Sequence, residues 1–151
     1  MRKEEKTYME NKHLVWGIVR VGRGHRKIIE REITNLGIHP SQHHILMYLA
    51  KQGASTQSSI AQAMEVSAAT IAVSLKKLEK GKYIKKKSSS EDSRVNFISL
   101  TEKGEEVVNL SQRLFEQTDE AIFRGLTEDE KEQIHGYLER IIQNLRVLEE
   151  K

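Results

Sequence analysis

Eight cationic side chains, Lys76, Lys77, Lys80, Lys82, Lys85, Lys86, Lys87 and Arg94, fall within 19 residues. That density of ammonium and guanidinium groups suits the neutralisation of a polyanion. The same lysines would also make an ordinary solvated face, so charge alone leaves both readings open. Within the cluster, Asp92 and Arg94 stand two residues apart beside a polar turn at Ser88–Ser93. An arginine at a hairpin tip can enter the minor groove of a duplex, whose negative potential favours a guanidinium, while the acid fixes its orientation. The competing reading is an exposed ion pair across a turn, worth at most about 1 kcal/mol.

Six histidines raise metal chemistry. His39 and His43 are four apart, and His44 follows, but two imidazoles without a third close ligand make a weak chelate. His25 sits between Val21 and Ile28 in an apolar stripe, where a hydrocarbon is expected; a cavity for a small organic ligand near His25 and His43 is the alternative to packed or exposed rings. The chain has no cysteine, which removes thiolate nucleophiles, disulfides and cysteine zinc sites. A Gly-rich phosphate loop, a nucleophile elbow and a His-Glu-x-x-His motif are all missing, so an enzyme is not expected. Neither a metal nor a cofactor is expected.

The elements that position these residues are legible from periodicity. Apolar residues Leu14, Ile18, Val21, Ile28, Ile29 and Ile33 predict one long amphipathic helix from Tyr8 to Leu36, ended by Gly37. Pro40 suits the first turn of a second helix carrying Ile45, Leu46 and Leu49, with Gly53 at its end. Thr56 reads as the N-cap of a short helix through Met64, and Ser67 caps another with Ile71, Leu75 and Leu78 inward and Gly81 as its stop. Only Glu65 and Val66 separate those two, the sequence form of a helix-turn-helix. Lys82–Lys87 and Arg94–Leu100 predict a two-stranded hairpin. Thr101 opens a fifth helix with Val107, Leu110, Leu114, Ala121 and Ile122, broken by Gly125. Thr127 and Glu130 have capping-box spacing before a last helix in which Ile134, Leu138, Ile141, Leu145 and Leu148 recur at steps of 4, 3, 4 and 3, a heptad seam that asks for a partner.

The net charge of +3 conceals a division: residues 1–50 carry +4, residues 51–103 carry +5 and residues 104–151 carry −6. The longest apolar run, Ile45 to Ala50, has six residues, far short of the roughly 20 that cross a bilayer. The charged start Met1–Lys6 leads into no apolar segment, so a cytoplasmic protein without membrane contact is expected.

This order of elements resembles the multiple-antibiotic-resistance regulator (MarR) family of winged-helix transcription factors over nearly the whole chain. The most specific match is the wing, where Asp92-Ser93-Arg94 runs through Val95–Leu100 into Thr101, similar to the family's Asp-x-Arg signature before a Leu-Thr helix start. Gln42, the Ser67 and Thr70 pair and the Leu78-Glu79-Lys80-Gly81 exit add to it. The resemblance implies a mainly α (α+β) single domain over 1–151, with a winged helix-turn-helix lobe at 38–103 and dimerisation helices at 8–36 and 104–150. It implies an effector-responsive repressor that binds a pseudo-palindromic operator in double-stranded DNA as a homodimer.

On that reading Ser67, Ala68, Thr70, Ala72 and Val73 enter the major groove, Lys76 and Lys77 meet the backbone or groove edge, and Thr56, Gln57 and Ser58 donate to phosphates. Lys86 contacts a phosphate, and Asp92 and Arg94 form the wing tip. Many relatives carry larger polar or arginine side chains near Ala72 and Val73, so methyl contacts and shape readout should matter more here. Alanines at 68, 69 and 72 also read simply as good helix formers. In the family, effectors or metals commonly bind where the first, second and fifth helices meet, which assigns His25, His43 and His44 to a candidate effector pocket. Zinc-sensing relatives add histidines on the fifth helix and hydroperoxide sensors a cysteine, and this chain has neither. The alternatives are a non-specific architectural DNA binder and a winged-helix module that binds an acidic protein.

Overall fold

The structure, a computed structural model, describes residues 3–88 and 96–150, with side chains from residue 11 onward. Asp92, Arg94 and the expected hairpin tip lie outside the described residues. Among the described residues nine elements follow one another: α1 (Lys3–Asn35), α2 (Pro40–Gln52), β1 (Ser55–Thr56), α3 (Gln57–Ala63), α4 (Ala68–Lys80), β2 (Ile84–Ser88), β3 (Asn96–Leu100), α5 (Glu102–Ile122) and α6 (Glu128–Glu149). The chain divides into two compact units, Met1–Leu114 and Phe115–Lys151.

In the first unit the apolar stripes of α2, α3 and α4 close on Ile84 and Ile98 of the sheet and on Val107 and Val108 of α5. The termini of these helices are set by side chains. Thr56 and Ser67 accept hydrogen bonds from the backbone N–H groups of Ser59 and Thr70, as their sequence positions predict. At α2 the cap is His39: its Nδ1 accepts from Ser41 N–H while Gln42 Oε1 accepts from His39 N–H. Histidine is an unusual cap, but an unprotonated ring nitrogen is a competent acceptor, and Pro40 behind it needs no hydrogen-bond partner.

Among the described residues the two expected strands pair, Ile84–Ser88 with Asn96–Leu100, and a third short strand joins them. The sheet order is β1-β3-β2, all antiparallel, with Ser55 opposite Ile98 and Lys86 opposite the same Ile98. Along β2 only Ile84 is buried, and Lys85, Lys86, Lys87 and Ser88 are exposed. A strand solvated on both faces is held by its ladder alone, so β2 leaves the core after one residue.

The exit from α4 differs in detail from the expectation. Gly81 caps the helix with right-handed φ of −74°, and the left-handed residue is Lys82, at φ 61°. Gly81 is needed for room instead, because a Cβ there would collide with the Tyr83 ring. Thr101 then locks the wing base to α5: its hydroxyl donates to Lys82 C=O at 2.6 Å and accepts from Gly104 N–H at 3.2 Å.

In the second unit the capping box forms as expected, with Glu130 Oε2 2.8 Å from Thr127 N and Glu130 N 3.2 Å from Thr127 Oγ1. The Thr127 N–H, and with it the Thr127 hydroxyl at 3.1 Å, donates to the Glu130 carboxylate and lowers its pKa from the ordinary value. No residue of α6 is buried, although it carries Leu138, Ile141, Leu145 and Leu148. On α1 the residues Leu14, Trp16, Ile18 and Val21 are likewise exposed. Both helices therefore present apolar surface far beyond isolated side chains.

Candidate nucleic-acid interface

Four residues, Met64–Ser67, join α3 to α4, because α3 stops at Ala63 and not at Met64 as expected. Met64 and Ser67 are the caps, and the turn closes because Glu65 takes a left-handed φ of 54°, an uncommon conformation for a residue with a Cβ. Val66 N–H donates back to Ala61 C=O at 3.1 Å. Gln57, at the start of α3, donates its amide to Ala68 C=O at 3.4 Å, so one expected phosphate donor also ties the two helices together. Ser58 is exposed beside it.

Burial of Ile71, Leu75 and Leu78 fixes the rotation of α4. The opposite side is thereby turned outward: Ala68, Thr70, Ala72, Val73, Lys76 and Lys77 are all exposed, as is Ser67 at the cap. The Ser67 and Thr70 hydroxyls are 2.9 Å apart and bonded to each other. Lys86 on β2 reaches Glu79 on α4 at 2.8 Å, a link between helix and wing that the sequence reading did not include. To meet a phosphate Lys86 exchanges that carboxylate, while Lys85 and Lys87 flank it in solvent. Lys103, also not singled out from sequence, donates to Gly81 C=O at 2.8 Å and lies 4.1 Å from the centre of the Tyr83 ring.

The histidines separate. His25 is exposed on α1 and is not among the residues lining the cavity beside His44. His43 is a core residue, 2% exposed, with Nε2 2.8 Å from Ser111 Oγ on α5. A Ser111 hydroxyl that donates to Val108 C=O at 2.8 Å leaves its oxygen to accept from His43 Nε2–H. His44 is exposed and lines a cavity of about 660 Å³ with Met47, Tyr48, Met64 and Gln112. Among the described residues no group of three or more His, Asp or Glu side chains is arranged to hold a metal ion.

Burial, and secondarily His44, pushes the His43 pKa down from 6.5 to about 4. Between those values the unfolded chain takes up a proton that the folded chain refuses, so the stability is whole above pH 6.5 and lost as pH falls toward 4. By pH 4.5 the loss from this one group should reach about 2.5 kcal/mol. Urea denaturation at pH 7 and pH 4.5 checks it: His43→Leu should lose that much less than the wild type across the interval, and equal losses would show that His43 is not the titrating group.

A model of the MarR family matches residues 36–95, which span the helix-turn-helix and reach into the wing. The HTH-type transcriptional regulator BilQ of Clostridium symbiosum is 26% identical over 110 residues, covering 73% of this chain and 76% of that one. The HTH-type transcriptional regulator YybA of Bacillus subtilis is 28% identical over 125 residues, covering 83% of each chain. A solved S. aureus MepR mutant bound to an oligodeoxyribonucleotide superimposes with a TM-score of 0.73 at 25% identity, covering 87% of this chain and 97% of that one. With the short turn at Met64–Ser67, the outward face of α4 and the lysine-bearing strand beside it, these likenesses identify the chain as a winged helix-turn-helix transcriptional regulator similar to the MarR family.

Proposed function

We propose that this protein is a repressor that binds a pseudo-palindromic operator as a homodimer and is released by a small organic effector. One observation carries the reading: burial of Ile71, Leu75 and Leu78 turns the whole polar and cationic side of α4 outward, next to a strand with three exposed lysines. A recognition helix in the major groove with phosphate-binding flanks has this form. The likeness to MepR bound to an oligodeoxyribonucleotide supports it. Exposed apolar faces on α1 and α6 support the homodimer. The cavity beside His44, lined by two methionines and a tyrosine, supports an effector that is largely apolar and aromatic-compatible.

The wing reading predicts unequal effects of two substitutions. Arg94→Ala should weaken operator binding by roughly 1 to 3 kcal/mol with less effect on random duplex, because a minor-groove guanidinium loses several oriented contacts. Lys86→Ala should weaken operator and random duplex alike and lower the slope of log affinity against log salt by about one unit per subunit. Fluorescence anisotropy on a duplex selected from genomic fragments, with a random duplex beside it, measures both. Wild-type affinity in Arg94→Ala would leave Asp92 and Arg94 as turn residues only. Equal wild-type affinity for selected and random duplex would point to an architectural binder, and no affinity for either to a protein-binding module.

A further inference from the structure

In the first two turns of α4 the residue that faces most directly away from the core is Val73. At about 100° per residue it stands within about 40° of directly opposite each of Ile71, Leu75 and Leu78, and it is 57% exposed. The fold gains nothing from it there. A β-branched side chain is a poorer helix former than alanine, and its methyl groups are left in water.

The neighbours of Val73 narrow what it could recognise. Bidentate readout of guanine or adenine uses Arg, Lys, Asn or Gln, and residues 67–73 contain none of these. The hydroxyls present, on Ser67 and Thr70, are engaged with each other and with the cap of α4. One turn further on, Lys76 and Lys77 are exposed and placed for phosphates. What the outermost point of the first two turns offers to a base edge is an isopropyl group, and the major-groove feature that such a group recognises is the C5-methyl of thymine.

We propose that Val73 reads a thymine C5-methyl group at one fixed position in each half-site, so that an apolar contact is the main sequence determinant of this helix. The inference rests on the reading of α4 as the duplex-facing helix. Removing one methyl group from such a contact should weaken binding about fourfold, and removing it from both half-sites about 15-fold.

The test uses duplexes that the full-length protein selects from a random pool. Each thymine of the two half-sites is replaced in turn, symmetrically, by deoxyuridine, which deletes only the methyl group. Wild type should show one position at which the replacement weakens binding about 15-fold, and Val73→Ala should be insensitive there to within about twofold. Val73 is exposed, so the variant should keep the wild-type helix content and melting temperature. Equal affinity for the thymine and deoxyuridine duplexes at every position would overturn the inference while leaving duplex recognition by α4 intact. Undiminished sensitivity in Val73→Ala would overturn the assignment to this residue. A protein that selects no duplex would remove the underlying reading, and the inference with it.

Discussion

A protein carrying both Ile141→Asp and Leu145→Asp should be monomeric and bind its operator at least about a hundredfold more weakly than the wild type. The seam of α6 repeats at steps of 4, 3, 4 and 3, yet every residue on it is at least partly exposed, with Leu145 at 54%. In a homodimer built on that seam the substitutions place four carboxylates in apolar surroundings, each carrying a desolvation cost with no cation to offset it. The helix itself should persist, since the Thr127 and Glu130 capping box and the acidic first turn are untouched. Light scattering should give twice 17.4 kDa for the wild type and a single chain for the variant, with circular dichroism unchanged. The affinity loss follows because a monomer engages one half-site and forfeits the effective concentration of the second. A variant that stays dimeric would move the dimer interface away from α6.

Gly104→Ala should destabilise the first unit by about 3 kcal/mol, against the trend of helix propensity. Alanine is the better helix former by about 1 kcal/mol, but a Cβ at Gly104 would lie well inside contact distance of the Tyr83 carbonyl oxygen and 3.2 Å from Leu100 Cδ2. The backbone cannot yield cheaply there, because Thr101 pins it to Lys82 and Tyr83 on the other side. Gly136→Ala is the matched control: a Cβ there meets nothing within 4 Å, so that variant should be neutral or stabilised by up to about 1 kcal/mol. Urea midpoints of the two variants decide it, and an unchanged midpoint in Gly104→Ala would mean that the wing base is free to move.

Most element boundaries were readable because they are set by local chemistry. Thr56, Ser67 and the Thr127 and Glu130 pair act within three residues of themselves, and Gly37 ends α1 with φ of 78°. The features that escaped depend on partners distant in the chain. Strand β1 is two residues long and exists through Phe97 and Ile98. Gly104 has its role only because Tyr83 packs against it. Glu79 and Lys86 are seven residues apart and meet only because α4 and β2 bring them to 2.8 Å.

His43 is the instructive case at the candidate site. Its ring chemistry drew attention as a ligand-pocket residue, yet it stands at steps of three from Leu46 and Leu49 on the buried side of α2, and that spacing was a signal for a packed ring. His25 went the other way: the stripe that seemed to call for a hydrocarbon is itself exposed over Leu14 to Val21. In α4, by contrast, the sequence pattern separated the inward and outward sides as the structure has them.

If two copies of α4 read two-fold-related half-sites together, affinity must depend on the spacing between those half-sites. An anisotropy titration compares the selected duplex with one carrying about five extra base pairs between its half-sites, about half a helical turn, which puts the half-sites on opposite faces. The insertion should cost at least about a hundredfold in affinity, with partial recovery when it is extended to about 10 base pairs. Unchanged affinity across the series would show that the two copies do not read half-sites together.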